Sequence, residues 1–101
     1  MSDQSTTLAQ LRKLVADFVA ERDWNQFHSP KNLSMSLAIE AAELMEHFQW
    51  LTIDQSRAVA NDAKKLGEVR DELADVLCYA LALANELQID VATAMANNCV
   101  A

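Results

Sequence analysis

Apolar residues at Leu8, Leu11, Leu14, Val15, Phe18 and Val19 recur at the intervals of one helix face. Thr7 and Gln10 just ahead have capping-box spacing, so the pattern predicts a first helix over about Leu8–Arg22. From Asp23 to Asn32 the period is lost, and this stretch holds the chain's only proline. Pro30 biases Ser29 away from helix, which predicts an ordered, aromatic-rich loop. The period returns at Leu37, Ala41, Leu44, Met45, Phe48 and Leu51, predicting a second helix over roughly 33–51 with Asn32 or Ser34 as its cap. Thr52 with Gln55 is a second capping box and starts a short helix near 54–63. Val69, Leu73, Val76, Leu77, Ala80, Ala84 and Leu87 then mark a long helix over about 65–88, with Gly67 a candidate interruption near its start. Asp90 can cap a final segment from Val91 to about Asn97.

Every periodic segment is helical, so the expected fold class is all-α, one domain spanning 1–101 with no internal repeat. Composition agrees. One Gly in 101 residues is too few for a β-sandwich with a turn every 8–12 positions, and the length allows one modest core. Eight basic against 15 acidic residues leave a formal charge of −7, which disfavours a nucleic-acid partner; a polyanionic ligand would need cations as mediators. No apolar run approaches the ~18 residues of a membrane span, and MSDQSTT lacks a basic region followed by an apolar one. The expectations are therefore no signal peptide, no membrane partner and a cytoplasmic location. Cys78 and Cys99 lack metal-ligand spacing, and Cys78 is expected to be a buried small apolar residue.

The candidate chemistry is acidic. At about 100° per residue, Glu40, Glu43 and His47 fall within roughly 60° of arc beside the second helix's apolar stripe. Glu72 and Asp75 repeat the device on the long helix, with Tyr79 a turn beyond. If the two helices pack antiparallel, four carboxylates converge at the edge of the seam. Such a cluster repels itself unless a cation sits within it, and all-oxygen ligation favours Mg²⁺ or Mn²⁺ over zinc. Ferritin-like di-iron chemistry needs Glu-x-x-His on two helices; here Leu44 stands three before His47. The other reading of these acids is ordinary solvated positions. The aromatic residues are Trp24, Phe27 and His28 in the loop, Trp50 at the end of the second helix, two turns beyond Glu43 on nearly its face, and Tyr79 on the acidic face. Phe27 is expected in the core. Trp24, His28, Trp50 and Tyr79 can form a flat slot suited to a base joined to a phosphate chain.

These residues carry a resemblance. Glu40-x-x-Glu43 and Glu72-x-x-Asp75, within IEAAELMEHFQW and VRDELADVLCYAL, look like the motif of the MazG-like branch of the all-α nucleoside triphosphate pyrophosphohydrolases. RDWNQFHSPKNL before them and FQW after resemble the dCTP pyrophosphatase subgroup, and the similarity spans about Leu8 to Met95. The resemblance implies an antiparallel helical bundle forming a homodimer or homotetramer, and hydrolysis of a (deoxy)nucleoside triphosphate, dCTP among the candidates, between its α and β phosphates. It places Mg²⁺ on Glu40, Glu43, Glu72 and Asp75, with Glu40 or Glu43 as catalytic base. It surrounds the base with Trp24, His28, Trp50 and Tyr79 and gives Lys31 to the phosphate side or to anchoring the loop. One departure stands out: family members carry a Lys and then an Asn after the last helix, whereas Asn98 falls where that Lys is expected and Ala101 comes before the Asn position. Independently, Leu81 and Leu83 flank the long helix's stripe and point to burial by another subunit. The alternative to an enzyme is a non-catalytic helical interaction module with an acidic face.

Overall fold

The structure, a computed structural model, describes residues 1–99. It has five α-helices: α1 (Leu8–Glu21), α2 (Pro30–Glu46), α3 (Ile53–Ala58), α4 (Ala63–Leu87) and α5 (Val91–Cys99), with single 3-10 turns at Asn25–Phe27 and Val59–Asn61. Both expected capping boxes form. Thr7 Oγ1 accepts from the Gln10 amide at 3.1 Å while Gln10 Oε1 accepts from the Thr7 amide at 2.7 Å, and Thr52 and Gln55 do the same at 3.1 and 3.0 Å. Asp62 and Asp90 cap α4 and α5 by accepting from the Lys65 and Thr93 amides.

Two boundaries differ from expectation in ways that matter for the site. α2 starts at Pro30, three residues early, because Ser29 rather than Asn32 or Ser34 caps it, accepting from the Asn32 amide at 3.1 Å. Proline suits the first helical position, where its missing N–H would have no partner and its φ is preset. α2 also stops at Glu46, and residues 47–51 turn through short-range bonds such as Leu51 N–H to Phe48 C=O. Trp50 therefore does not continue the face of Glu43. Gly67 leaves α4 unbroken, and α5 runs two residues past Asn97 with Asn98 Nδ2 donating to Ala94 C=O. Ala101 lies outside the described residues.

The packing is antiparallel about α4. His28, just ahead of α2, shares a wall with Tyr79 and Ala82, while Glu43, along α2, meets Glu72. α1 also runs against α4: Arg12 Nε donates to Asn85 Oδ1 at 3.0 Å, Asn85 Nδ2 returns to Arg12 C=O at 3.0 Å and Arg12 Nη1 reaches Ile89 C=O at 2.5 Å. The α1 residues Phe18 and Val19 lie beside Cys78 and Ala82. α5 turns away from α4 by 110°. No single helix among the described residues is long and apolar enough to cross a membrane.

Val19, Leu33, Val59, Ala82 and Ala84 form the buried core. Two of these are alanines on α4, small enough to let neighbouring helices come close. Phe27, expected in the core, is 61% exposed, because the turn at Asn25–Phe27 lifts it off the bundle. Leu73 and Leu77 of the expected α4 stripe also face solvent, whereas Leu81 and Leu83 are half-buried.

Two substitutions test this account in urea denaturation. Leu33, 2% exposed, should lose about 2–5 kcal/mol on Leu33→Ala through lost burial and the cavity left behind. Gly67→Ala should add about 0.5–1 kcal/mol of helix stability, since a Cβ there meets only the end of the Arg70 side chain, at 3.4 Å.

Candidate metal centre and adjoining cleft

The cap at Ser29 and the start at Pro30 set the register in which Glu40 and Glu43, one turn apart, face α4. There Glu72 joins them. One carboxylate oxygen from each of Glu40, Glu43 and Glu72 lies within 4.8 Å of the other two, and all three residues are half-buried. The expected fourth acid, Asp75, is not one of the three within that mutual distance, but it is near enough to act on Glu72, is exposed and lines the adjoining cleft with Glu40.

Like charges at this range disfavour full ionisation. Burial, followed by the adjacent Glu72 and Glu43 carboxylates, raises Glu40 from 4.5 to about 7. Burial also raises Glu72, with Glu43 and Asp75 contributing in the same direction. Glu72 Oε2 is buried without a hydrogen-bond partner, an oxygen that a cation would satisfy. Three half-buried carboxylates with an unpaired oxygen among them therefore fit a hard divalent cation such as Mg²⁺ or Mn²⁺.

Beside the acids opens a cleft of about 470 Å³, with Glu40 and Asp75 at one end and Phe18, Trp24, His28 and Tyr79 among its walls. Its aromatic wall follows from the way α1 ends. Asp23 adopts φ 53°, its N–H bonds Ala20 C=O, and the Trp24 N–H bonds Val19 C=O, both at 3.1 Å. This is the Schellman arrangement, in which the residue after the left-handed one packs back on the helix. Trp24 accordingly meets Phe18 edge to face, with ring centroids 5.6 Å apart, and His28 follows at 6.2 Å from Trp24. His28 Nδ1 is buried with no partner, leaving it free for a ligand.

Of the residues singled out from sequence, the fold thus gathers Glu40, Glu43 and Glu72 in one cluster and Trp24, His28, Tyr79, Asp75 and Glu40 around one cleft. It leaves Lys31 exposed and away from the cleft wall. Trp50 is 87% exposed and also lies outside that lining. Cys78 is not buried as expected but exposed on the cleft wall, where partial desolvation of its thiol, and then Asp75, raise its pKa. Sequence reasoning assigned Phe18 to the core stripe and so missed it as a wall residue. Its signal was the aromatic spacing Phe18, Trp24, His28 across a helix end.

The fold is an all-α bundle that presents acids from two helices beside an aromatic cleft. The model of the MazG-like family matches residues 35–100, and the chain belongs to that family. It is 43% identical over 89 residues to dCTP pyrophosphatase 1 of Rattus norvegicus and 42% to that of Homo sapiens, in each case over 88% of this chain and 52% of the relative. The chain thus spans about half the length of these curated relatives. Among solved structures, a pyrophosphatase from Archaeoglobus fulgidus superposes with a TM-score of 0.84 at 35% identity, covering 98% of this chain and 91% of that one.

The raised Glu40 gives a pH test with a definite sign. A carboxyl whose folded value lies above 4.5 adds stability below that pH and loses it as pH rises through about 7. A cation needs the ionised form and competes with that proton. The Mn²⁺ dissociation constant, measured by calorimetry, should therefore fall about tenfold from pH 6 to pH 8. Glu40→Gln should weaken the dependence, leaving the part due to Glu72; an unchanged constant in the unmodified protein contradicts the cluster's role.

Proposed function

We propose that the chain is a Mg²⁺-dependent nucleoside triphosphate pyrophosphohydrolase that releases a monophosphate and pyrophosphate, with dCTP its leading substrate. One observation carries this reading: the Glu40–Glu43–Glu72 cluster opens at its edge onto an aromatic-walled cleft. A phosphate chain and a base need those two environments side by side. The family and the names of the relatives support it. It carries with it a cytoplasmic role in clearing unwanted nucleotides.

In this reading Glu40, Glu43 and Glu72 would hold the metal, with Asp75 joining them from the cleft edge. When bound, Mg²⁺ offsets phosphate charge and polarises the phosphoryl oxygens. The chain's own part is to orient a water toward the α-phosphorus and take its proton on Glu40 or Glu43; the α–β bridging oxygen leaves with pyrophosphate. Trp24 supplies a stacking face, worth ~1–3 kcal/mol per base and tolerant of sequence. His28 and Tyr79 supply polar contacts to the base edge, where a mismatch leaves a buried group unpaired and costs more than a lost methylene. Lys31 serves the phosphate side or anchors the loop.

A homodimer or homotetramer completes the reading. The radius of gyration is 15.4 Å against about 13 Å for a compact chain of this length. Leu73, Leu77, Ile39, Met45 and Met95 all face solvent, more apolar surface than a small monomer ordinarily leaves uncovered. We assign Trp50, which one copy leaves in solvent, to the base slot of a second copy.

A pyrophosphate-release screen across the common NTPs and dNTPs tests the activity. Release is expected only with Mg²⁺ and fastest from dCTP. Glu43→Gln should abolish it with far-UV circular dichroism unchanged, and His28→Ala should flatten the base preference while sparing metal binding. Wild-type turnover by Glu43→Gln sinks the proposed site, and no release from any triphosphate leaves the non-catalytic module. Light scattering at micromolar concentration should give a mass at least twice 11.2 kDa; a monomer overturns the oligomer.

A further inference from the structure

The cleft wall has a support that is absent from its lining. Arg22, the residue capping α1, places its guanidinium carbon 3.5 Å above the centre of the Phe18 ring and 5.9 Å from that of Trp24. Phe18 meets Trp24 edge to face, and Trp24 is followed by His28. Phe18, Trp24 and His28 all line the cleft; Arg22 does not. Its polar alternatives are weak: Glu21 at 3.9 Å, with the Glu21 side chain 76% exposed, and Phe18 C=O at 3.5 Å. An exposed ion pair of that length contributes little. The ring face lies as near the guanidinium as the Phe18 carbonyl and nearer than Glu21, and a planar cation on such a face is attracted by the ring quadrupole.

We propose that Arg22 is a positioning residue for the aromatic wall: stacked over Phe18, it fixes the ring against which Trp24 packs, and so the plane that Trp24 offers to a ligand. The helix end makes this geometry available. Phe18 and Arg22 are four residues apart on α1 and so share a face, while the left-handed Asp23 turns Trp24 back onto Phe18. One cation thereby holds two rings on either side of a chain reversal. Arginine suits the position better than lysine because its planar head lies flat on a ring. For substrate handling the inference rests on the nucleotide-hydrolase reading; for the geometry of Trp24 it does not.

The test uses the full chain with Arg22→Gln and Arg22→Lys. With the triphosphate that the unmodified protein turns over fastest, Arg22→Gln should raise KM about fivefold and leave kcat within about twofold, since binding of the base changes and the chemistry does not. Arg22→Lys, which keeps the charge but not the plane, should fall between the two. In a Trp50→Phe background, where Trp24 is the only tryptophan, the near-UV circular dichroism of Trp24 should weaken in Arg22→Gln with far-UV signal unchanged, and recover in part in Arg22→Lys. An unchanged near-UV spectrum in Arg22→Gln overturns the proposal whatever the kinetics, and so does a fall in kcat at unchanged KM. If no triphosphate is hydrolysed by the unmodified protein, the enzyme reading fails and the spectra still decide the role of Arg22.

Discussion

Three carboxylates held within one another's reach are the constraint around which this bundle is built. The packing of α2 on α4 places an oxygen of Glu40, Glu43 and Glu72 inside 4.8 Å, and in partial burial such neighbours repel. Burial and the neighbouring Glu72 and Glu43 carboxylates push the Glu40 carboxyl up to about 7, so protonation there eases the repulsion as pH falls. A divalent cation held there would reverse the sense of the arrangement, replacing mutual repulsion by shared ligation and giving the orphaned Glu72 oxygen a partner. The helices therefore have to be held by contacts elsewhere: Leu33 and the two buried alanines of α4 let the seam close without help from the acids.

The same seam fixes where the cleft opens. α1 is tied to the far end of α4 through the reciprocal Arg12–Asn85 hydrogen bonds, and its near end terminates in the Schellman turn at Asp23. α4 ends in the same way, with Gln88 at φ 54° and the Ile89 N–H bonded to Ala84 C=O. Neither turn uses glycine, so each left-handed residue carries a modest conformational cost that the surrounding hydrogen bonds offset. One turn aims the aromatic residues at the acids; the other sends α5 off at 110°.

What remains outside the core is as informative as what is in it. Few large side chains are fully buried, and a row of apolar residues on α1, α2 and α4 stays in solvent. A chain of 101 residues that buries so little has thin support from its own interior. This exposure is the physical basis of the proposal that a second copy covers that face and that Trp50 serves another subunit's cleft.

Sequence by itself determined the helical class, the two capping boxes and the acidic pairs, because caps and the 3.6-residue period act over three or four neighbouring residues and depend on nothing farther away. It placed Glu40, Glu43 and Glu72 correctly as candidates for one cluster, since a helix face is a local property and one antiparallel contact suffices to join two faces. It did not determine that α2 stops at Glu46, which carries Trp50 off the Glu43 face, nor that Phe27 and Cys78 are exposed. Those outcomes depend on which side of each element finds a neighbour. Only the tertiary structure put Asp75 on the wall of the cleft beside the carboxylate trio and brought Phe18 to that wall. The period says that a face is apolar; what covers that face is decided by elements dozens of residues away.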